Sequence, residues 1–403
     1  MEDNGLAVSY EPRPWNQADG EDTFTMSRRA RLKARGPYQA AVLPQMAERV
    51  FSLPPYVEAD AADALMEITR FDAELSATDL GRGGKFAALA AILLRTESAS
   101  SSQIENVTAG AKALAMATIH EKAGPNAQMV AANVAAMQRA IEMADDLNED
   151  TLLAAHAALM EGHEYAQPGR FRTAQVWIGG AAPTPHTATF VPPHADRVKP
   201  AMADLLAFCD RTDVGVLPLV SLAHAQFETI HPFADGNGRT GRALVHVLLK
   251  RAGATRRLTV PVSAGLLADT ESYFDALTAY REGDAASIVE RFSKAAFSAI
   301  NNGRALNRDL SDMYADWEHH ITARRDAAVW RVLPHLVRQP AVTVKFVQEV
   351  TGVSNPAGQN AIDQLVAAGV ITPATANQRN RVWLADGVIT ALDEFAARAG
   401  RRG

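Results

Sequence analysis

The sequence predicts a mostly α-helical protein. Apolar residues recur at steps of three and four along most of the 403 residues, as in Pro218–Ile230, where Leu219 and Leu222 would share one helix face. Runs that favour strands are short and are confined to residues 176–193 and 370–384. The chain is long enough for two or three domains with a sizeable core.

Charge and composition argue against several classes of protein. A formal charge of −6 does not suit a protein built mainly to grip nucleic acid. The single cysteine, Cys209, can make no internal disulfide and is expected to be a small buried residue, which predicts a cytoplasmic location. No apolar run approaches the roughly 18 residues of a membrane helix, and the polar N-terminus does not resemble a signal peptide, so no membrane partner is expected.

The first quarter of the chain is predicted to be a tail followed by helices. Residues 1–36 are polar, with a basic cluster at 28–35, and are expected to form a tail. A helical N-terminal region is predicted over residues 37–110. It is interrupted at Pro54–Pro55 and includes a compact apolar helix at Lys85–Thr96.

Residues 111–305 are predicted to form the central domain. An Ala- and Met-rich helical stretch, Ala109–Met143, leads into it. Two β-prone runs, Val176–Gly180 and Thr187–Pro193, flank a turn rich in glycine and proline and predict a hairpin among the helices. Ala285–Asn302 is expected to be the closing helix of this domain.

Residues 231–242 (His-Pro-Phe-Ala-Asp-Gly-Asn-Gly-Arg-Thr-Gly-Arg) concentrate reactive and anion-binding residue types. They separate the helix described above from a second predicted helix at Thr240–Arg251. The glycines let backbone N–H groups converge at the start of that helix, where the dipole favours an anion. Asp235 offers an oxygen ligand of the kind Mg²⁺ takes together with phosphates and water. Arg239 and Arg242 lie one turn apart and can reach successive phosphates.

Two simpler interpretations of this stretch fit less well. Gly236–Gly241 satisfies the G-x-G-x-x-G pattern of dinucleotide-binding proteins, but that pattern requires a preceding strand and an acidic residue about 20 positions later. Here a helix precedes it and the following segment is helical and basic. A loop that merely caps a helix would explain the glycines but not the histidine, aspartate, asparagine and arginines together.

The twelve residues match every fixed position of the HPFx[DE]GNGRxxR signature, so the chain resembles the Fic (filamentation induced by cAMP) family. The resemblance implies a helical core that transfers AMP from ATP to a protein hydroxyl. In it, His231 would be the general base for a target Ser, Thr or Tyr, and Asp235 would hold Mg²⁺. The nucleotide-binding residues implied by the same signature are Gly236, Asn237, Gly238, Arg239, Thr240, Gly241 and Arg242.

A second resemblance lies upstream, at Ser101–Asn106, which matches [ST]xxxE[GN], the inhibitory motif of Fic proteins. In the class with an N-terminal inhibitory helix, the glutamate, here Glu105, pairs with the second arginine of the signature, here Arg242. That pairing competes with the γ-phosphate and implies low resting activity. Ser101 and Asn106 would be the other inhibitory residues. The alternative is that serines in this segment merely cap a helix.

The predicted hairpin resembles the Fic flap, which binds the target backbone as an added strand. Ile178 and Phe190 are its candidate target contacts. Tyr273 and Tyr280 lie where family members place tyrosines near the nucleotide base. Core packing is the alternative for all four side chains.

The C-terminal part is predicted to be a helical connector at 306–325 and a separate unit at 326–403. Three short helices and two strands around Asn377–Arg381 resemble the winged-helix domain of some Fic proteins. Residues 324–403 carry ten basic and six acidic residues, a balance of +4. The would-be recognition helix, Asn355–Ala368, nevertheless has no Lys or Arg, so a protein-binding or dimerising role is favoured over DNA binding.

Together these features predict a Fic helical core with a β-hairpin flap, a helical N-terminal region and a C-terminal winged-helix domain. The expected function is Mg²⁺-dependent transfer of AMP from ATP to protein hydroxyls, including the protein's own, with inhibition through Glu105. The expected partners are ATP and a target protein, and homodimerisation is left open. The alternatives are removal of AMP by the same site and a nucleotide-sensing DNA-binding regulator.

Overall fold

The computed structural model describes residues 6–15, 34–77, 84–119, 123–180, 184–374 and 381–400. Helices dominate these ranges, which confirms the predicted mostly α fold. Most of the basic cluster and the central residues of the predicted wing, 377–380, lie outside the described residues. The helices are α1 (Pro55–Ala77), α2 (Gly84–Ile104), α3 (Ala111–Thr118), α4 (Pro125–Glu142), α5 (Glu149–Leu159), α6 (Ala195–Cys209), α7 (Val216–Ile230), α8 (Asn237–Arg251), α9 (Val262–Leu267), α10 (Thr270–Arg281), α11 (Ala285–His320), α12 (Ala328–Arg338), α13 (Val344–Thr351), α14 (Asn355–Ala367) and α15 (Asp386–Arg398).

The strands of the described residues are short and form two antiparallel sheets. The strands are β1 (Ser9–Arg13), β2 (Tyr38–Val42), β3 (Ala341–Val342), β4 (Thr372–Pro373) and β5 (Trp383–Leu384). The first sheet pairs β1 with β2, and the second has the order β3-β5-β4. Across the described ranges, no helix combines the length and the apolar character needed to cross a membrane.

The chain folds into two compact units. The first comprises Met1–Ala62, Arg139–Ala252 and Glu271–Phe292. Its centre is α7, which packs against α6 and α8. Every residue of α7 from Leu217 to Ile230 is buried. A helix buried all round needs no polar face, which explains why its sequence is apolar on more than one side.

Strand β1 lies within the segment that was expected to be a polar tail. Ser9 pairs with Val42 at one end of the two-stranded sheet. Glu11 in this strand accepts hydrogen bonds from Arg197 at 2.8 and 2.6 Å and from Arg13 at 2.6 Å. Those ion pairs lower the pKa of Glu11 to about 2. The strand was missed because partners distant in sequence, not apolar alternation, hold it in place.

The second unit comprises Asp63–Gln138, Gly253–Thr270 and Ser293–Gly403. Helix α2 is central to it and packs against α9 and α12. The buried carboxylate of Glu97 in α2 accepts hydrogen bonds from the backbone N–H of Ser263, at 2.8 Å, and from its hydroxyl. The three predicted C-terminal helices and the two strands that follow them are present as α12–α14, β4 and β5.

Helix α2 corrects one sequence-based expectation. The apolar helix was expected to end at Thr96, yet it continues through the serine-rich segment to Ile104. Hydroxyls in this segment bond to carbonyls of the preceding turn, from Thr96 to Leu93 at 2.9 Å and from Ser102 to Ser98 at 2.8 Å. Such back-bonding lets serine and threonine remain inside a buried helix. The serines therefore do not form an N-cap.

Helix α11 corrects another expectation. A closing helix and a separate connector helix were predicted, but residues 285–320 form one continuous helix. Gly303, near the expected break, lies inside it. A Cβ added there would lie 2.7 Å from the ring of Phe71, so the glycine allows close packing instead of ending the helix.

The predicted hairpin is present only in reduced form. Its two runs meet in one antiparallel bridge between Ile178 and Phe190. The Ile178 N–H donates to the Phe190 carbonyl at 2.8 Å, and the Phe190 N–H donates to the Ile178 carbonyl at 3.1 Å. Gly179 and Gly180 follow with φ of 69° and 95°, and Pro185–Thr187 forms a 3₁₀ turn. Left-handed glycines and prolines end the strand pairing after a single bridge.

Candidate functional site

The turn between α7 and α8 brings the reactive residues of the first unit together. Helix α7 ends at Ile230 and is followed by His231, which has φ 51° and ψ 61°, and α8 begins after Gly236, which has φ 79°. A Cβ added to Gly236 would lie 2.7 Å from the sulfur of Met160, so this position requires glycine. A left-handed histidine is uncommon and is typical of a constrained functional position.

The loop is held from within by Phe233 and Asn237. The Asn237 amide accepts from the Phe233 N–H at 2.8 Å and donates to the Phe233 carbonyl at 2.9 Å. The Phe233 ring is fully buried and stacks on His156 at 3.6 Å. Because both polar atoms of the Asn237 side chain bond within the loop, the predicted phosphate contact of Asn237 is left to its backbone N–H.

Arg172 is a buried site residue that sequence reasoning missed. Its guanidinium donates to the carbonyl of His231 at 2.8 Å, of Pro193 at 2.5 Å and of Ala174 at 3.2 Å. Its own N–H bonds to the Pro232 carbonyl at 2.9 Å. Desolvation lowers the pKa of Arg172 to about 10, so it remains charged at neutral pH. It connects the turn at His231 to both ends of the flap segment.

Arg172→Met is expected to lower the free energy of unfolding by about 3 kcal/mol, because several buried carbonyls lose their donor. The measurement is urea unfolding. The matched control is Arg197→Met, which removes an exposed arginine that pairs with Glu11 and should cost about 1 kcal/mol or less. Equal losses in the two variants would show that Arg172 does not anchor the turn.

His231 is oriented by its own helix. Its Nδ1 lies 3.3 Å from the Glu228 carbonyl oxygen, and its side chain is 22% exposed. Since a carbonyl only accepts, Nδ1 must carry the proton, which leaves the lone pair of the neutral ring on Nε2. A carboxylate oxygen of Glu228 lies 4.0 Å from Nδ1 on the same side. The basic lone pair of the neutral His231 ring therefore lies on Nε2.

Asp235 occupies the middle of the loop. Its Oδ1 accepts from the Gly236 N–H at 2.6 Å, and its Oδ2 accepts from the Tyr165 hydroxyl at 3.2 Å. In the part of the chain that the structure describes, no three His, Cys, Asp or Glu side chains form a group that could hold a metal ion. A site with one carboxylate fits Mg²⁺, which commonly takes its remaining ligands from water and substrate phosphates.

The position of Asp235 depends on His156, which the sequence did not single out. The Gly169 N–H lies 3.0 Å from Nδ1 of His156 and donates to it, so the ring must be neutral with its proton on Nε2. Nε2 lies 3.0 Å from the Asp235 carbonyl and donates to it. Desolvation lowers the pKa of His156 to about 4.

Stability is expected to fall as the pH drops from about 6.5 to 4, because the unfolded His156 takes up a proton that the folded ring resists. The loss attributable to this residue is on the order of 3 kcal/mol. His224, whose pKa burial lowers to about 3, acts in the same direction. Urea unfolding across this pH range should show a shallower dependence for His156→Gln than for wild type. Equal slopes would contradict the assignment.

The remaining signature residues are buried residues in the first two turns of α8. Arg239 is 6% exposed and its Nη2 lies 3.4 Å from the Met160 sulfur, while Arg242 is 2% exposed. The Thr240 hydroxyl donates to the Gly236 carbonyl at 2.8 Å. A Cβ on Gly241 would lie 2.8 Å from a carboxylate oxygen of Glu228. The Thr240 hydroxyl therefore stabilises the start of α8, and Gly241 allows α8 to lie close to α7. Neither observation supports the predicted contacts of these two residues with a nucleotide.

Tyr273 and Tyr280 are buried residues of the first unit, which favours the packing alternative over their predicted place beside a nucleotide base. They are 1% and 2% exposed. The Tyr273 hydroxyl lies 2.8 Å from Nε2 of His224, and the Tyr280 hydroxyl donates to Gln226 at 2.8 Å. Both hydroxyls thus have hydrogen-bond partners inside the first unit.

The two candidate target contacts in the flap differ in exposure. Phe190 is 4% exposed, and the guanidinium of Arg281 lies 4.1 Å from its ring centroid. Ile178 is half-buried. The structure therefore places the Phe190 ring in the core, which favours its packing alternative, while Ile178 remains a predicted target contact.

The segment Ser101–Asn106, which is predicted to be an inhibitory motif, lies at the end of α2. Ser101 is buried inside the helix, whereas Glu105 and Asn106 are exposed in the turn that follows. Asn106 has φ 61°, its N–H bonds to the Gln103 carbonyl at 2.9 Å, and the Val107 N–H bonds to the Ser102 carbonyl at 3.0 Å. This is a Schellman helix end, whose left-handed position favours Gly or Asn. This turn gives a structural reason for an asparagine at the last position of the motif.

Comparison with protein families matches residues 146–249 to the Fic/DOC family. Protein adenylyltransferase fic-1 of Caenorhabditis elegans is 29% identical over 112 residues, which are 27% of this chain and 20% of the relative. Protein adenylyltransferase Fic of Nematostella vectensis is 28% identical over 145 residues, which are 36% and 31% of the two chains. The chain therefore spans about a fifth to a third of these curated relatives.

A solved structure extends the likeness in fold beyond this domain. A Fic family protein from Desulfovibrio desulfuricans superposes with a TM-score of 0.53 and 24% identity. The match covers 83% of this chain and 97% of the other. The mostly helical architecture is thus shared over most of the described chain.

Proposed function

We propose, from the match of residues 146–249 to the Fic/DOC family, that the protein is an adenylyltransferase that moves AMP from ATP to a protein hydroxyl. The observation that carries the proposal is the turn between α7 and α8. There, a histidine with Nε2 as its basic nitrogen stands at the end of one helix, beside the N-terminus of the next. Curated relatives named protein adenylyltransferase support the same reaction.

In the proposed reaction, the hydroxyl oxygen of a target Ser, Thr or Tyr attacks the α-phosphorus of ATP. His231 takes the hydroxyl proton on Nε2, the new O–P bond forms, and the bond to the β-phosphate breaks to release pyrophosphate. The protein's contribution is position and charge, which account for most catalysis at phosphorus. The left-handed backbone of His231 and the hydrogen bond from Arg172 hold the base in place.

The phosphates are proposed to bind at the start of α8. The first N–H groups of any helix lack partners within it, and the dipole favours an anion there. Gly236, Asn237 and Gly238 would form the anion hole with their backbone N–H groups. Arg239 would bind the phosphates, and Arg242 would bind the γ-phosphate. Asp235 would hold Mg²⁺, which when bound offsets phosphate charge, and Tyr165 orients the carboxylate through its hydroxyl.

We further propose that the enzyme is self-inhibited through Glu105. Support comes from the motif and from its placement: Glu105 is exposed at the end of α2, and the left-handed Asn106 fixes the turn beside it. A carboxylate paired with Arg242 would compete with the γ-phosphate of ATP. Removal of AMP by the same site remains the alternative activity.

The C-terminal helices and the three-stranded sheet are proposed to be a winged-helix domain. Its would-be recognition helix, α14, contains Asp363 and no Lys or Arg, which supports a protein-binding or dimerising role over DNA binding. An electrophoretic shift with genomic fragments tests this. Salt-sensitive binding that prefers particular sequences would favour the DNA-binding regulator instead.

The proposed reaction is tested by incubating wild type and Glu105→Gly with ATP labelled at the α- or the γ-phosphate, with and without Mg²⁺. Transfer of AMP puts only the α-label on protein, and only with Mg²⁺. Label from the γ-phosphate would indicate a kinase. No label on protein, together with release of AMP from a pre-modified target by wild type, would show that the site works mainly in reverse.

A further inference from the structure

A cavity of about 40 Å³ lies in the second unit beside the helix that carries the inhibitory motif. It is bounded by α2, the start of α3, the end of α9 and α15. Its apolar walls are Leu114, Leu267, Leu392 and Phe395. A space of this size holds two or three water molecules or a small organic group.

The cavity is also lined by a buried arginine that lacks a counter-charge among the described residues. Arg95 in α2 is 8% exposed. Its Nη2 makes a long hydrogen bond to Gln339 at 3.4 Å, and within the same ranges Nη1 has no hydrogen-bond acceptor. Burial lowers the pKa of Arg95 to about 10, and the nearby positive charge of Arg338 acts in the same direction. A buried guanidinium without an anion is unfavourable, so the site is suited to binding one.

Other polar groups of α2 face the same space. Ser100 and Gln103 line the cavity along with Arg95, and these two residues lie about one helical turn apart on one face of α2. They supply a hydroxyl and an amide that can donate to an anion beside the guanidinium. Thr96 also lines the cavity, but its hydroxyl already donates to the Leu93 carbonyl.

The charge at the other side of the cavity limits what it can hold. Asp393 in α15 lines the cavity too and is exposed, and its carboxylate accepts a long hydrogen bond of 3.4 Å from the Ala111 N–H. The space thus runs from a buried positive group to an exposed negative one. Asp393 would repel a dianion such as phosphate more strongly than an anion with one charge, and a short apolar part of the ligand can pack on the apolar walls.

We propose that this cavity binds a small organic monocarboxylate. Its carboxylate bonds to Arg95 and the Ser100 hydroxyl, and its short chain packs on Leu267 and Phe395. Nothing in the transfer reaction uses this site, so the binding itself is independent of the proposed function.

Occupancy of the cavity is expected to affect the end of α2. Gln103 lines the cavity and also belongs to the motif Ser101–Asn106. A ligand that stabilises this helix in its present position should lower self-labelling, a consequence that rests on the proposed function. Binding is therefore measured by thermal unfolding, which requires no assay of AMP transfer.

The experiment compares thermal unfolding in sodium propionate, in sodium chloride of equal ionic strength, and in propionamide, the neutral analogue. Propionate is expected to raise the Tm of wild type by about 2 °C in a saturable manner, with no such rise in the other two. Arg95→Met should remove the rise. Arg338→Met, which removes the neighbouring exposed arginine that does not line the cavity, should retain it.

Arg95→Met has a second expected property: without propionate it should unfold at a temperature no lower than wild type, since it removes an uncompensated buried charge. The proposal is overturned if propionate, chloride and propionamide act alike on wild type, if Arg95→Met keeps the rise, or if Arg338→Met loses it. Wild type and Arg338→Met by themselves show whether propionate binds and raises the Tm. The proposal can therefore be tested even if Arg95→Met does not fold. Failure of AMP transfer would leave the Tm result unchanged.

Discussion

His231→Ala is expected to reduce AMP transfer by about 10²- to 10⁴-fold, the usual contribution of a positioned general base. ATP affinity should stay within about twofold of wild type, because the imidazole takes a proton and does not bind the phosphates. Self-labelling with α-labelled ATP measures the first quantity, and fluorescence titration with a nucleotide analogue measures the second. Both are best measured in a Glu105→Gly background, where the signal is largest.

The control for this prediction is His320→Ala. His320 is an exposed histidine at the end of α11 that lies near the Asp316 carboxylate at 3.3 Å, and its removal should leave transfer unchanged. Retained transfer in His231→Ala would reject the base assignment. A parallel loss of nucleotide binding would instead show that His231 supports the phosphate site.

Glu105→Gly is expected to increase self-labelling by about tenfold to a hundredfold, the equivalent of one charge-assisted hydrogen bond released from Arg242. Glu105 lies outside the last turn of α2 and is exposed, so its removal opens no cavity in the core. The unfolding midpoint should accordingly remain close to that of wild type. Labelling on protein with Mg²⁺ and α-labelled ATP is the measurement.

Two variants distinguish the effect of the Glu105 carboxylate from the effect of the turn that ends α2. Glu105→Gln removes the charge and keeps the size, and should activate nearly as much as glycine. Asn106→Gly keeps the left-handed position that ends α2 and should leave labelling unchanged. Activation by Asn106→Gly as well would mean that loosening of the turn, not loss of the carboxylate, relieves inhibition.

Much of the fold was predictable because local signals were strong. The apolar steps of α7, the glycines before α8 and the Pro54–Pro55 start of α1 each agree with the observed helix. The prediction failed where local and tertiary preferences differ. The change in composition after Thr96 suggested a helix end, yet back-bonded hydroxyls let α2 continue to Ile104.

The sequence by itself determined the helical class, the order of the elements and the reactive signature, since these depend on periodicity and on residue type at fixed spacing. The tertiary structure alone revealed which side chains support the signature. Arg172 and His156 lie 59 and 79 residues from the groups they bond, His231 and Asp235. No spacing rule reaches that far. The tertiary structure also decided that Tyr273 and Tyr280 are buried, because burial depends on what packs around a residue and not on the residue itself.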